Sequence, residues 1–256
     1  MISDGSELPG SQDGLEAALE GCVRRLRKDS GVEAVAVVVS AQDRDPAAAV
    51  HSVCDGEASA CFVVHADPAR AWFMRRALQA ADFPVVSDGD LRAVAAAAQA
   101  LRGLRRLERV AGQSAVVIAD SDRLPEMGPL LTAVGIRDLT FWKRTDAPVF
   151  PLAQMAEGAD LVVDLRAGDD VLPVQGQDTG LVLRMPDVTD SLPLLPGLLT
   201  AAAATGRLQA DTDVLAAVAQ FLAITCTDTA LPAPQPELTD SIAWVARQAM
   251  RHPRGS

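Results

Sequence analysis

Residues 114–144, SAVVIADSDRLPEMGPLLTAVGIRDLTFWKR, decide the fold that the sequence predicts. Ala115 to Ala119 form an apolar, β-branched run, which is typical of a buried parallel strand. A polar turn follows, and then a helix that we predict from about Pro125 to Val134 and that Gly135 closes. A second strand is predicted from Leu139 to Trp142. Strand, turn, helix and strand in this order are the opening unit of a dinucleotide-binding domain.

The turn of this unit lacks the glycines that normally let the backbone approach a pyrophosphate. It carries Asp120, Ser121 and Asp122 instead. Two carboxylates there would repel an anion by about 4 kcal/mol per charge pair at roughly 4 Å in an effective dielectric of about 20. Lys143 and Arg144 end the second strand, where they would suit the 2′-phosphate of NADP or simply be solvated. We therefore expect no cofactor, or NAD(P) held weakly by these five residues.

Strands and helices alternate over the rest of the chain, which predicts an α/β fold with a mostly parallel sheet. Residues 1–12 are polar, and we expect them to be a frayed end. Ser87 to Asp90 are expected to form a loop. Further strands are predicted at 32–39, 61–64, 83–86, 161–164 and 181–183. Further helices are predicted at 15–27, 46–53, 68–80, 91–107, 152–156, 192–204, 211–224 and 239–251.

The composition is that of a folded, acidic protein. Of 256 residues, 49% are hydrophobic, and 34 acidic against 23 basic residues give a net charge of −11. This charge argues against nucleic acid or an anionic membrane surface as a partner. No apolar run approaches the roughly 20 residues of a membrane helix, and we expect the polar N-terminal residues not to be a signal peptide. The four cysteines show no CxxC spacing, so we expect reduced thiols in a cytoplasmic protein.

Several segments, taken in order, resemble the malic enzyme family over about residues 13–250. They are DGLEAAL at 13–19 with EG at 20–21 and GVEA at 31–34, the stretch from Arg75 to DFPVVSD at 82–88, the unit at 114–144 with its GIRD, AEGADLVV at 156–163, and LPGLL at 195–199 with Asp211. The resemblance implies a Rossmann-like NAD(P)-binding domain at 91–230. A truncated malic-enzyme-like N-terminal substrate domain would precede it at 1–90, and a connector and C-terminal helix would follow at 231–256.

The same resemblance implies that the chemistry of the family is lost. The family oxidises malate with a nicotinamide cofactor and decarboxylates the product, using a lysine base, a tyrosine acid and three carboxylates on Mg²⁺ or Mn²⁺. The sequence contains no tyrosine. The corresponding positions hold unsuitable residues: Cys22 for the lysine, Val63 and Val64 for two metal ligands, and Gly89 for the third. Asp88, which matches the first aspartate of the family's paired-aspartate loop, is retained.

These losses favour a protein that no longer oxidises or decarboxylates malate and that binds a metabolite or a protein partner. The family implies a homodimer or association with a related active subunit. The alternative is an NAD(P)-dependent oxidoreductase of malic enzyme type with a rearranged site. A third hypothesis is a new metal or acidic site built on Asp88, Asp120 and Asp122, against which stands a simple helix-capping role.

The remaining candidate residues do not predict a specific functional site. Cys22 would be a reactive nucleophile only beside a base, and no nearby histidine is identifiable from the sequence. His51, His65 and His252 show no metal-ligand spacing. Phe141 and Trp142 are expected to be core residues that pack on the sheet.

Overall fold

The computed structural model describes residues 1–8, 12–40, 42–55, 57–166, 180–205, 211–226 and 235–251. The chain divides into two compact units. The first comprises residues 1–91, 188–211 and 231–256, and the second comprises residues 92–187 and 212–230. His252 and the first part of the proline-rich connector, 231–234, lie outside the described residues. The expected domain boundary at residue 90 stays a prediction.

Eight strands and ten helices are found within the described ranges. The strands are β1 (Ile2–Ser3), β2 (Val37–Val38), β3 (Cys61–Val63), β4 (Val85–Ser87), β5 (Ala115–Ala119), β6 (Asp138–Trp142), β7 (Leu161–Asp164) and β8 (Leu181–Arg184). The helices are α1 (Gln12–Ser30), α2 (Pro46–Cys54), α3 (Pro68–Ala80), α4 (Asp88–Arg106), α5 (Met127–Ala133), α6 (Leu152–Ala156), α7 (Val188–Ser191), α8 (Leu195–Thr205), α9 (Thr212–Thr225) and α10 (Pro236–Arg251).

The two sheets are both parallel, and they share one strand order. The first unit has the order β2-β1-β3-β4, and the second has β6-β5-β7-β8. In each, the second strand lies on one side of the first and the third strand lies on the other. This reversal is the topological switch point, and ligands of open α/β sheets bind beside it at the carboxyl ends of the strands. The structure confirms the predicted α/β fold.

The prediction of a frayed end over residues 1–12 was wrong for its first residues, whereas residues 9–11 lie outside the described ranges. Ile2 pairs with Val37 on one side and with Val63 on the other, which makes β1 an inner strand. Ile2 and Ser3 are both buried. A strand of two residues is too short for its hydrophobic periodicity to be recognised in a sequence.

Two helices of the first unit begin where Asp-Pro pairs predict a start. The Asp45 side chain accepts a hydrogen bond from the N–H of Ala48 at 3.0 Å and caps α2. The Asp67 side chain accepts from the N–H groups of Ala69 and Arg70 at 2.9 and 3.0 Å and caps α3. In both helices a proline occupies the first turn, where its missing N–H costs no hydrogen bond.

The expected loop from Ser87 to Asp90 is also wrong, because α4 starts at Asp88. Asp90 Oδ2 accepts hydrogen bonds from Ser87 N at 2.8 Å and from Ser87 Oγ at 2.9 Å. In return, Ser87 Oγ accepts from the N–H of Asp90 at 3.2 Å. This reciprocal capping box joins the last residue of β4 directly to the helix. Asp88 and Gly89 are therefore held in the first helical turn.

The predicted strands of the second unit are confirmed. β5 and β7 have the predicted bounds, and β6 begins one residue before the predicted start. The register pairs Ala119 with Trp142 on one side and with Asp164 on the other. Trp142 is buried as expected, but Phe141 is 52% exposed, so its assignment to the core was wrong. Neighbouring residues of a strand point to opposite faces of the sheet. Phe141 and Trp142 therefore lie on opposite faces of β6, and only the Trp142 ring is buried.

Gly197 allows α8 and α10 to pack closely in the first unit. A Cβ atom at this position would lie 2.6 Å from Ile242 Cβ and 2.8 Å from the carbonyl oxygen of Thr239. A contact with backbone this short cannot be relieved by a side-chain rotation. Gly21, in α1, provides a contrast, because a Cβ there would meet no described atom within 4 Å.

We predict that Gly197→Ala and Gly21→Ala change stability in opposite directions. The added methyl at position 197 overpacks the interface between the helices and should lower the free energy of unfolding by roughly 1–3 kcal/mol. The matched change at position 21 should raise it by about 0.5–1 kcal/mol, because alanine has the better helix propensity. Urea denaturation of both variants measures this, and equal stability of Gly197→Ala and wild type would contradict the close approach.

Candidate functional site

The turn after β5 differs from a dinucleotide-binding turn in its backbone path. Asp120 is left-handed, with φ 62° and ψ 45°, and Ser121–Arg123 form a 3₁₀ turn. The helix α5 starts only at Met127. In a dinucleotide-binding unit the helix follows the turn at once, so that its first N–H groups face the pyrophosphate. Here the intervening residues displace the helix start from the end of the strand.

The two acidic residues of this turn are paired with the two basic residues that follow β6. Lys143 Nζ lies 2.8 Å from Asp122 Oδ1, and Arg144 Nη2 lies 4.0 Å from Asp120 Oδ2. The structure thus brings four of the five predicted cofactor residues together, but in contact with one another. Two negative and two positive charges compensate here, which leaves no net charge for attracting a phosphate.

A small cavity lies beside these pairs. It has a volume of about 270 Å³ and is lined in part by Ser121, Asp122, Lys143, Gly128 and Phe141. The Phe141 ring covers Gly128 so closely that a Cβ there would lie 2.6 Å from the ring edge. Ser121, the fifth predicted cofactor residue, lines the same cavity as Asp122 and Lys143.

Asp122 also stabilises the charged form of the Lys143 side chain. Its hydrogen bond and its negative charge raise the pKa of Lys143 above the ordinary value, and Asp146 contributes in the same direction. The Asp146 carboxylate also accepts a hydrogen bond from the N–H of Lys143 at 3.1 Å. The lysine at this edge therefore stays charged, with its charge directed at carboxylates.

Asp164 is a further charged residue at this edge that the sequence reasoning missed. It ends β7, next to β5, and is buried. Arg166 holds it with two parallel hydrogen bonds of 2.8 Å, from Nε and from Nη2. A charged residue at the end of an apolar strand was the signal that could have identified it.

The carboxyl edge of the first sheet gathers Glu7, His65 and Asp88. These residues follow β1, β3 and β4, and their potential ligand atoms all lie within 4.8 Å of one another. His65 N donates to Asp88 Oδ2 at 2.9 Å, and Glu7 N donates to the carbonyl oxygen of His65 at 3.3 Å. His65 has a left-handed backbone with φ 54°. The sequence analysis missed Glu7 because β1 was not predicted, and it set His65 aside because the three histidines show no metal-ligand spacing.

Two arginine–aspartate pairs accompany this group in the first unit. Arg70 Nε lies 2.7 Å from Asp4 Oδ2, and Arg75 Nη2 forms a short ion pair with Asp90 Oδ2. Both aspartates have buried side chains. A buried carboxylate needs such compensation, because its desolvation is costly.

The positions that the family resemblance assigns to metal and catalysis do not fit Mg²⁺ or Mn²⁺. Val63 and Val64 are buried at the end of β3, and their side chains carry no oxygen. Gly89 has no side chain, and its N–H donates to Asp88 Oδ1 at 2.8 Å. Cys22 is a buried thiol within α1. A hard dication prefers several oxygen ligands, and of these positions only Asp88 supplies one.

The hypothesis of one site built on Asp88, Asp120 and Asp122 stays untested. Asp88 belongs to the first unit, and the other two belong to the second. The structure gives each of them contacts within its own unit. Asp88 holds the backbone of His65 and Gly89, whereas Asp120 and Asp122 face basic side chains.

Comparison with solved structures shows a malic-enzyme-like fold. The malic enzyme of Entamoeba histolytica superimposes with a TM-score of 0.79 at 14% identity, over 98% of this chain and 68% of that one. The malic enzyme of Pyrococcus horikoshii gives 0.75 at 15%, over 98% and 76%. The NAD-dependent malic enzyme of Thermotoga maritima gives 0.76 at 13%, over 96% and 82%.

Sequence comparisons give no further assignment. No family model and no curated protein sequence matches the chain. At identities of 13–15% the structural likeness establishes the fold and leaves the activity open. Among the helices of the described ranges, none combines the length and the apolar character needed to cross a bilayer.

We predict that Asp122→Asn lowers the pKa of Lys143. The pair stabilises the fold while the lysine is charged, and this contribution is lost as the pH rises through the raised folded-state pKa. The chain has only two lysines, Lys28 and Lys143, so side-chain NMR can follow both during a pH titration. Asp138→Asn, at the start of β6 and thus at the strand end away from Lys143, is the control and should leave the Lys143 pKa unchanged. An unaltered pKa in Asp122→Asn would show that the pair is absent in solution.

Proposed function

We propose that this chain is a malic-enzyme-like protein that has lost the oxidation and decarboxylation of malate. In this proposal it works without catalysis and binds a small, mostly apolar metabolite in the first unit. The shared fold supports the ancestry. The altered carboxyl edges of both sheets support the loss of the ancestral reaction.

The pairing of Asp120 and Asp122 with Lys143 and Arg144 carries this proposal. A dinucleotide would need its pyrophosphate at the turn after β5 and its ribose at the end of β6. Two carboxylates stand at the first place, and the cations at the second place are directed back at them. A bound pyrophosphate would therefore lie against two carboxylates, and Lys143 and Arg144 would have to turn away from them to reach a phosphate.

A cavity of about 630 Å³ in the first unit favours a metabolite as the ligand. It lies beside the amino ends of the strands, where Ile2 and Cys61 begin β1 and β3. Val53, Leu199 and Ala203 are among the apolar residues that line it. Its volume is in the range of small-molecule sites, which are mostly apolar with a few polar groups.

The cavity lining also includes charged residues, among them Arg27, Glu33 and Asp55, and its two thiols suit binding better than reaction. Cys54 and Cys61 both line it. Burial raises the pKa of Cys61 to about 11, although the positive charge of the N-terminal amino group of Met1 acts in the opposite direction; the nearby Cys54 adds a smaller raising effect. At neutral pH the thiol is therefore uncharged and a poor nucleophile, because the thiolate is the reactive form. Thr200 adds a hydroxyl to the lining.

Protein partners are a separate part of the proposal. Association into a homodimer, or with a related active subunit, is what the resemblance implies, and it stays a prediction. A cytoplasmic location, which the spacing of the four cysteines predicts, also stays a prediction.

We predict that neither NAD⁺ nor NADP⁺ binds with micromolar affinity. Isothermal titration of the full chain should give no binding heat with either, because the ion pairs occupy the cofactor edge. An assay of malate with Mn²⁺ and either cofactor should show no turnover. The NAD-dependent malic enzyme of Thermotoga maritima, run in the same buffers, is the positive control for NAD⁺.

The opposite results would support the alternative. Micromolar binding of either cofactor, or turnover that depends on it, would favour an NAD(P)-dependent oxidoreductase with a rearranged site. In that case Lys143→Ala should weaken NADP⁺ more than NAD⁺, because only NADP⁺ carries the 2′-phosphate.

We also predict that the cavity of the first unit takes up a neutral solvatochromic dye such as Nile red. Val53→Trp places a large ring at the cavity lining, and it should abolish most of the blue-shifted fluorescence. Val149→Trp is the matched control, because Val149 is an exposed valine of the second unit. Equal fluorescence of the two variants and wild type would contradict binding in this cavity.

A further inference from the structure

We propose that Glu7, His65 and Asp88 form a binding site for a transition-metal dication of the Zn²⁺ class. The site lies at the carboxyl edge of the first sheet, and the metabolite cavity lies at the amino ends of the same strands. The two proposals therefore rest on different residues and can fail separately.

The three side chains are close enough to converge on one ion. Zn²⁺ binds imidazole nitrogen and carboxylate oxygen at about 2.0–2.2 Å in a tetrahedral arrangement, so two ligand atoms of one ion lie about 3.3–3.6 Å apart. The potential ligand atoms of the three residues lie within 4.8 Å of one another. Binding therefore requires the ligand atoms to move together by up to about 1 Å. Glu7 and His65 are only partly buried, so their side chains are the ones that can move toward the buried Asp88.

The fold holds the three residues together through their backbones. The carbonyl oxygen of His65 accepts from Glu7 N at 3.3 Å and from Ser3 Oγ at 3.4 Å, and His65 N donates to Asp88 Oδ2 at 2.9 Å. Asp88 is only 3% exposed, and its other oxygen accepts from Gly89 N. Hydrogen bonds of this kind orient the ligands of protein metal sites and raise their affinity.

The donor set selects the class of metal. One imidazole and two carboxylates suit Zn²⁺ and its neighbours among the transition metals, whereas Mg²⁺ and Ca²⁺ prefer oxygen alone. Two negative charges balance the dication. Three protein ligands leave a fourth position for water, as in zinc sites that stay open to a ligand. This set differs from the three carboxylates that the family resemblance implies.

The test is metal titration of the full-length chain after removal of metal with a chelator. Calorimetry should show one Zn²⁺ per chain with micromolar or tighter affinity, and Mg²⁺ should give no comparable heat. Co²⁺ should give visible absorption bands typical of nitrogen and oxygen ligands. A sulfur-to-cobalt charge-transfer band would assign the metal to cysteines and overturn the proposal.

Variants identify the ligands. Glu7→Gln and His65→Asn should each weaken Zn²⁺ binding by about 100-fold or more, since even loss of a supporting hydrogen bond costs about 10–100-fold. Asparagine tolerates the left-handed backbone of His65, which protects the fold of that variant. His51→Gln, on the exposed side of α2, is the matched histidine control and should bind as wild type does.

Two other outcomes overturn the proposal. The first is absence of Zn²⁺ and Co²⁺ binding to the wild-type chain. The second is wild-type affinity in a folded Glu7→Gln variant, judged by circular dichroism. Glu7→Gln is nearly isosteric, so it decides the question even if His65→Asn does not fold.

Discussion

The parallel pairing of every described strand is the constraint on which the rest of this structure depends. Parallel neighbours cannot be joined by a tight turn, so the chain must cross back over the sheet, usually as a helix. These crossovers cover the apolar strands, and they place the carboxyl ends of all the strands of a sheet at one edge. Residues that are far apart in the sequence, such as Glu7 and Asp88, meet there for this reason. Both candidate sites at strand ends are products of this single rule.

The second constraint is charge compensation at those edges. An anion site at the end of a parallel sheet normally uses backbone N–H groups and glycine. In this chain carboxylates stand there, and each has acquired a cation or a backbone donor. Lys143 faces Asp122, Arg166 holds Asp164, and Arg70 holds Asp4. The exposed pairs contribute little stability, but together they remove the positive field that a phosphate would need.

The sequence predicted those parts of the fold whose signals are local. β5 and β7 are continuous apolar runs, and Asp45 and Asp67 cap helices within three residues of themselves. β1 could not be predicted, because two residues carry no period and its burial comes from partners 35 and 61 positions away. The group formed by Glu7, His65 and Asp88 could not be predicted for the same reason, because its members come together only once β1 is placed in the sheet. The four charged cofactor-edge residues were recognised singly, but their mutual pairing needs the strand register.

The division of the chain into units bears on the order in which they can fold. The first sheet appears early in the sequence, yet its unit also contains α8 and α10, and Gly197 lets these two helices pack closely. The second unit needs nothing beyond residue 230. During synthesis the second unit can therefore fold first. The first unit can be completed only after α10 has been synthesised. A chain cut before α10 would leave α8 without the helix that packs against it, so the first unit would stay incomplete on the ribosome.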